Sequence, residues 1–155
     1  RGTQSWSDPT HPSSVAPGKR PRLTPNPALA FKNGKVLMPF GTPGGDVQPQ
    51  SMLQVFLNVN VFGMSAQDAI EAPRFANYSF PGSFEPHAYY PGRLYIEGRV
   101  PKATGEKLAA MGHKVHWWDD YTWLAGAPCT IVADHKTGVL HGGADPRRPA
   151  YVLGW

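Results

Sequence analysis

A glycine-rich run between an apolar strand and a helix constrains this chain more than any other feature. The run Phe40–Asp46 reads FGTPGGD, and the helix that follows is predicted to begin near Pro49. The successive glycines Gly44 and Gly45 can adopt positive φ, and no Cβ atom shields their amide N–H groups. Such a turn before a helix can bind a developing negative charge, as an oxyanion hole does. The alternative is a tight strand-to-helix turn without chemistry.

Turn signals and apolar periodicity divide the chain into short elements. Residues 1–25 contain five prolines and are predicted to form a loop or an extended arm. Asn33-Gly34 between two apolar runs predicts a hairpin with a type I′ turn. The segment from Phe75 to Gly98 is too rich in aromatic residues, Pro and Gly for a prediction. The predicted strands are 28–31, 36–40, 113–118, 127–133 and 139–141, and the predicted helices start at Pro49, Ser65 and Pro101.

The three predicted helices carry distinct signals. The first has apolar residues at positions 52, 53, 56, 57 and 59, a spacing that predicts one buried face. The second begins with a capping box formed by Ser65 and Asp68, and Pro73 ends it. The third extends to Met111, with Gly112 as its left-handed cap. Because strands and helices cluster instead of alternating, we expect an α+β fold with helices on one face of an antiparallel sheet.

Composition and charge limit the possible partners. The chain has 155 residues, 41% of them apolar, which suffices for one domain. Its 17 prolines and 17 glycines indicate many turns, so we expect extensive contact with another chain. The formal charge is +4, but Lys19–Arg22 is the only basic cluster and no nucleic-acid-binding motif accompanies it, so no nucleic-acid partner is predicted. No apolar stretch is long enough to span a membrane.

No metal site or cofactor site is predicted. Cys129 is the only cysteine and lies in an alternating apolar run, which predicts a buried and inert thiol. His113 and His116 are the closest histidine pair, but no cysteine or carboxylate cluster completes a ligand set. The chain also has neither a nucleophile elbow nor a phosphate-binding loop.

Five short motifs occur in a fixed order along nearly the whole chain. They are Pro17–Pro21 (PGKRP), Gly41–Gly45 (GTPGG), Leu53–Val55 (LQV), Ala72–Phe75 (APRF) and Ala144–Arg147 (ADPR). In this order and spacing they resemble the small subunit of the γ-glutamyltransferase (γ-glutamyltranspeptidase) family of N-terminal-nucleophile hydrolases. The resemblance implies one part, spanning residues 1–155, of a four-layer αββα sandwich in which antiparallel sheets are flanked by helices.

The resemblance also implies a precursor that cuts itself into a large and a small subunit. The family's nucleophile is a threonine at the N-terminus of the small subunit, where its α-amino group acts as the base. This chain begins with Arg1, and the position of Lys19–Pro21 leads us to expect that roughly forty to fifty residues carrying that threonine are missing. The expected partners are therefore the large subunit, the N-terminal piece of the small subunit and a small-molecule amide substrate. The isolated chain is expected to be inactive, and no compartment is predicted.

Positions that hold the substrate in the family differ here. Leu23 and Thr24 align with two serines that bind the glutamyl α-carboxylate, and a leucine side chain cannot donate a hydrogen bond. Ser5 aligns with an acidic residue that binds the α-ammonium, and a buried ammonium without a counter-charge is costly. Both losses favour an acyl group other than glutamyl. The alternatives are a genuine glutathione hydrolase or γ-glutamyl transpeptidase, and a non-catalytic binding module.

Polar and charged residues near the motifs suggest further contacts. Asp46 could contact a substrate amine or cap the following helix, and capping is the favoured interpretation. Gln48 is placed to support the glycine run. Arg20 and Arg74 could be buried ion-pair partners or surface salt bridges. Asp145–Arg147 is predicted to be structural, because the central proline fixes the backbone between two charges.

Overall fold

The computed structural model describes residues 2–154. Arg1 and Trp155 lie outside it. The elements combine short strands with three helices and three 3-10 turns. They are β1 (Ala28–Lys32), β2 (Lys35–Gly41), α1 (Gln48–Asn60), α2 (Ala66–Glu71), β3 (Phe75–Asn77), β4 (Arg93–Glu97), α3 (Lys102–Ala110), β5 (Lys114–Trp118), β6 (Cys129–Ala133) and β7 (Leu140–Ala144), with 3-10 turns at Gly2–Gln4, Gly45–Val47 and Trp123–Ala125.

The strands form two sheets. A four-stranded antiparallel sheet has the order β1-β2-β6-β7, and α2 packs against β6 and β7. A three-stranded sheet has the order β3-β4-β5. In it β3 and β4 are antiparallel, but β4 and β5 are parallel and α3 connects them. This parallel pair departs from the antiparallel expectation, because a helical crossover returns the chain to the same end of the sheet.

The predicted hairpin is confirmed. Asn33 and Gly34 have φ values of 52° and 76°, as a type I′ turn requires. The two strands pair from Ala28 opposite Phe40 to Lys32 opposite Lys35. Because β2 continues to Gly41, this hairpin delivers the chain directly into the glycine-rich run.

The first helix buries a different face from the predicted one. Met52 is buried as expected, but Leu53 is 57% exposed. The buried set is instead Gln48, Ser51, Met52 and Val55. Polar Gln48 and Ser51 point into the protein because their side chains face the glycine run and its neighbouring turn, which apolar periodicity cannot indicate.

The second and third helices agree with their signals. The Ser65 hydroxyl accepts a hydrogen bond from the Asp68 amide at 3.1 Å, as a capping residue does. Helix α3 ends at its cap Met111, and Gly112 follows with φ of 100°. None of the helices within residues 2–154 is long and apolar enough to cross a membrane.

Two stretches differ from expectation or had none. Cys129 is exposed, so the prediction of a buried thiol is wrong. It lies at the start of β6, where its side chain faces away from the core while its neighbour Thr130 is buried. The unassigned segment 75–98 contains β3 and β4, separated by a long irregular loop.

The N-terminal arm packs against that loop. The Trp6 ring stacks on the rings of His11 and His87, with centroid distances of 4.2 and 3.6 Å. The Glu85 amide donates a hydrogen bond to the carbonyl of Thr3 at 2.7 Å. The arm is therefore held by contacts distant in sequence.

A buried charge network joins the end of α2, β4 and the Asp145–Arg147 motif. Arg74 pairs with Asp145, and the Arg147 guanidinium donates to both Glu97 oxygens at 2.6 and 2.5 Å. All four side chains are almost fully buried. Burial lowers the pKa of Arg74 to about 10 although Asp145 opposes that shift, so Arg74 remains charged at neutral pH.

The network shows which of Arg20 and Arg74 forms a buried ion pair. Arg74 is a buried ion-pair partner, whereas Arg20 is exposed and makes no ion pair within residues 2–154. The structural role predicted for Asp145–Arg147 is confirmed, because each of its charges pairs with a different segment.

We expect Asp145→Asn to lower the free energy of unfolding by about 3 to 5 kcal/mol, because it leaves the buried Arg74 guanidinium without its carboxylate partner. Chemical unfolding of the full-length protein followed by fluorescence measures this. Asp119→Asn, at an exposed site, is the matched control and should change stability by less than about 0.5 kcal/mol. Equal, small losses in both variants would contradict a structural role for the network.

Candidate functional site

The glycine run forms a turn whose backbone only glycine adopts readily. Gly44 and Gly45 have φ values of 136° and 58°, so the predicted positive φ is confirmed at both positions. The first hydrogen bond of the following 3-10 turn runs from the Val47 amide to the Gly44 carbonyl, at 3.3 Å. The Gly44 and Gly45 amides therefore lie before the first hydrogen-bonded amide of the helical turn. Neither donates a hydrogen bond to any group within residues 2–154.

A second turn, Thr122–Ala127, lies directly against this glycine turn. A Cβ atom on Gly44 would lie 3.3 Å from the Gly126 Cα. The Thr42 hydroxyl fastens the two turns, since it accepts from the Ala127 amide at 2.7 Å and donates to the Pro43 carbonyl at 2.6 Å. We call residues 122–127 the support turn.

Gly126 can only be a glycine in this arrangement. Its φ of 78° and ψ of −176° lie in a region that other residues almost never occupy. A Cβ atom there would come within 2.8 Å of the Thr42 hydroxyl and 3.2 Å of the Pro43 carbonyl. The close approach of the two backbones therefore depends on the missing side chain.

The support turn is anchored to the buried charge network. The carbonyl of Ala125 accepts from the Ser51 hydroxyl at 2.7 Å and from Arg74 Nη1 at 2.9 Å. Both donors are fully buried. The position of the glycine turn is thus connected through Ala125 and Gly126 to the buried Arg74–Asp145 ion pair.

A cavity of about 390 Å³ opens beside the glycine turn. It brings together Leu23, Thr24, Gly45 and Asp46, four residues that the sequence analysis singled out for the site. Gly44 directly precedes Gly45 in the chain. Ser5 does not line the cavity, and it contributes to two other surface cavities formed with the N-terminal arm.

Asp46 does not cap the helix, so the favoured interpretation is wrong. Neither the 3-10 turn nor α1 has a side-chain hydrogen bond at its N-cap. Asp46 Oδ2 instead accepts a hydrogen bond from the Ser83 amide at 2.8 Å. The Asp46 carboxylate binds the long β3–β4 loop and not the helix N-terminus, and a capping rule based on neighbouring residues cannot predict this contact. Gln48 is buried and lines the cavity, as its predicted supporting position requires.

Arg22, Ser83 and Phe84 were not predicted from the sequence as parts of the cavity wall. Arg22 had been grouped with the surface cluster Lys19–Arg22, and its place in that cluster gave no sign of a cavity. Ser83 and Phe84 lie in the segment without a prediction. Phe84 approaches closely, since its Cε2 would lie 3.4 Å from a Cβ on Gly45. The only signal in the sequence for Arg22 was its position directly before Leu23, a predicted site residue.

The cavity carries one positive and one negative side chain, Arg22 and Asp46, among the described residues that line it. No group of three or more His, Cys, Asp or Glu side chains suited to a metal ion occurs within residues 2–154. The chemistry available here is therefore that of backbone amides, one guanidinium, one carboxylate and neutral polar groups.

We expect Gly126→Ala to loosen the glycine turn, because the added methyl group meets the Thr42 hydroxyl and the Pro43 carbonyl at a strained φ. In the full-length protein, hydrogen exchange should accelerate at the Val47 amide, which donates to the Gly44 carbonyl, and at the Ala127 amide, which donates to the Thr42 hydroxyl. Gly138→Ala is the matched control, with φ of 76° and no atom within 4 Å of the added Cβ. Exchange at the glycine turn that is equally slow in both variants would contradict the support role of Gly126.

Comparison with known proteins finds relatives that match nearly the whole chain. The chain is 36% identical over 154 residues to the glutathione hydrolase-like YwrD proenzyme of Bacillus subtilis (strain 168), covering 99% of this chain and 28% of that protein. It is 34% identical over 155 residues to the oxamate amidohydrolase proenzyme of Klebsiella pneumoniae, covering 100% of this chain and 28% of that protein. The chain therefore spans little more than a quarter of these curated relatives.

A solved structure and a family profile also match nearly the whole chain. The crystal structure of a cephalosporin acylase from Bacillus halodurans matches with a TM-score of 0.84 at 32% identity, covering 98% of this chain and 26% of that chain. This confirms the predicted α+β fold as part of an N-terminal-nucleophile hydrolase. The profile described as gamma-glutamyltranspeptidase matches residues 2–155. The chain belongs to the gamma-glutamyltranspeptidase family.

Proposed function

We propose that this chain supplies the oxyanion-binding part of a γ-glutamyltransferase-like amidohydrolase. One observation carries the proposal. The successive amides of Gly44 and Gly45 lie just before a helix, have no hydrogen-bond acceptor within residues 2–154, and stand beside a cavity. Amides held in this way can bind the oxygen of a tetrahedral intermediate without reorganising. The start of the helix adds a favourable dipole.

The nucleophile of the proposed reaction is a threonine from another segment of the same precursor. Its hydroxyl oxygen forms a bond to the amide carbon, the C–N bond breaks, and the amine leaves with the proton taken from the hydroxyl. Water then adds to the acyl-enzyme, the ester bond breaks, and the free acid is released. Gly44 and Gly45 bind the oxyanion in both steps. The two relatives are named as proenzymes, which supports a large subunit and an N-terminal piece of the small subunit as partners.

The proposed substrate is a small amide whose acyl group is not glutamyl. Leu23 lines the cavity but has no side-chain donor for an α-carboxylate. Ser5 lies outside the cavity and is uncharged, so it gives an α-ammonium no counter-charge. Thr24 and Asp46 are the remaining predicted substrate contacts in the cavity wall. We propose hydrolysis as the main reaction, with transfer to an amine as a minor one.

We expect Gly45→Val in the full-length processed protein to reduce kcat by about 100-fold or more while substrate binding stays measurable, because bulk at this turn displaces an oxyanion donor. Ammonia release from a panel of primary amides measures turnover. Gly34→Val is the matched control, since Gly34 has a similar positive φ of 76° in open space at the hairpin turn. Near-normal kcat for Gly45→Val would overturn the oxyanion assignment.

The assembly itself can be tested by intact mass and N-terminal sequencing of every polypeptide that co-purifies with this segment. We expect a piece beginning with threonine and a separate large subunit. A different residue at that N-terminus would favour a non-catalytic binding module of the same fold. Strong preference for glutathione over other amides would instead favour a genuine glutathione hydrolase.

A further inference from the structure

Thr42 lies between strand β2 and the two glycines, and its hydroxyl makes two hydrogen bonds. It accepts from the Ala127 amide of the support turn at 2.7 Å and donates to the Pro43 carbonyl at 2.6 Å. A hydroxyl has a single proton to donate, so its donor capacity is used fully in the second bond. The side chain therefore connects the support turn to one particular peptide unit of the glycine run.

The Pro43 carbonyl belongs to the same peptide unit as the Gly44 amide. In a trans peptide bond, which this one is, the C=O and N–H groups point in opposite directions within one plane. The carbonyl side of this unit faces the support turn, since a Cβ atom on Gly126 would lie 3.2 Å from the Pro43 oxygen. The Gly44 N–H therefore points away from the support turn, and a contact that fixes the carbonyl also fixes this proposed oxyanion donor.

Backbone preferences alone do not hold this peptide unit in its orientation. A half-turn of the unit changes the ψ of Pro43 and the φ of Gly44, and it leaves the ring-fixed φ of Pro43 untouched. Gly44 has a φ of 136°, and the half-turn would give it a negative φ, which glycine adopts about as readily. In the rotated unit the carbonyl oxygen would take the place of the N–H group and repel an oxyanion. The choice between the two orientations therefore needs a further contact, and the Thr42 hydroxyl supplies one.

We propose that Thr42 is a positioning residue for the oxyanion hole. Its hydroxyl holds the Pro43–Gly44 peptide in the orientation that leaves the Gly44 N–H free for the substrate oxygen. This inference rests on the proposed function. The hydrogen bond to the carbonyl also polarises the peptide, which makes the N–H on its other side a stronger donor. Thr42 acts through this peptide and need not contact the substrate itself.

The test removes the hydroxyl and keeps the shape of the side chain. We expect Thr42→Val in the full-length processed protein to lower kcat for amide hydrolysis by about 10- to 100-fold, between the effect of one hydrogen bond on the peptide orientation and that of a lost oxyanion donor. KM should change by less than about twofold, because the lost interaction acts in the transition state. Thr42→Ser keeps the hydroxyl and should restore most of the wild-type kcat.

Thr130→Val is the matched control. The Thr130 hydroxyl also donates to a proline carbonyl, that of Pro39 at 2.9 Å, and the side chain is buried where β6 pairs with β2. Thermal unfolding should show similar losses of stability in Thr42→Val and Thr130→Val, whereas kcat should fall only in Thr42→Val. The proposal is overturned if both variants lose kcat equally, if Thr42→Val keeps the wild-type kcat, or if Thr42→Ser fails to restore it.

Crystal structures of the full-length wild-type and variant proteins separate this inference from the proposed function. We expect a positive φ at Gly44 in the wild type and in Thr42→Ser, and a rotated Pro43–Gly44 peptide in part or all of the Thr42→Val molecules. If the wild-type protein hydrolyses no amide, the proposed function fails, and these orientations still decide whether Thr42 holds the peptide. An unrotated peptide at full occupancy in Thr42→Val would overturn the inference.

Discussion

The buried pairing of Arg74 with Asp145 is the interaction on which the rest of the structure depends. A guanidinium without partners in the interior would cost several kcal/mol, so every segment that contacts it must hold one geometry. Arg147 and Glu97 complete the network from the C-terminal motif and from β4. Through the carbonyl of Ala125, the same network fixes the turn that supports the candidate site.

The site combines a rigid part and an adaptable part. The rigid part is the contact between the glycine turn and Gly126, where two backbones meet without side chains between them. The adaptable part is the cavity wall, which the N-terminal arm and the β3–β4 loop contribute through Arg22, Ser83 and Phe84. In the proposed function the first part serves bond cleavage and the second can vary with the acyl group, since loops tolerate change better than packed turns.

Features encoded by neighbouring residues were predicted well. The turn at Asn33, the cap at Ser65 and the end of α3 at Gly112 depend on backbone preferences that act over two to four residues. The buried face of α1 and the environment of Cys129 were predicted wrongly. Leu53 and Cys129 are exposed because the packing partners lie on other faces of their elements, and periodicity alone does not say which face those partners cover.

The amino-acid sequence by itself determined the glycine turn, the order of most elements and the family, because these depend on local conformational freedom and on motifs in a fixed order. Only the tertiary structure decided that Asp46 binds the Ser83 amide instead of capping a helix, and that Ser5 lies outside the cavity. It also brought Arg22 beside the glycine turn. These outcomes depend on contacts between segments tens of residues apart, whose competing hydrogen bonds and charges no local pattern contains.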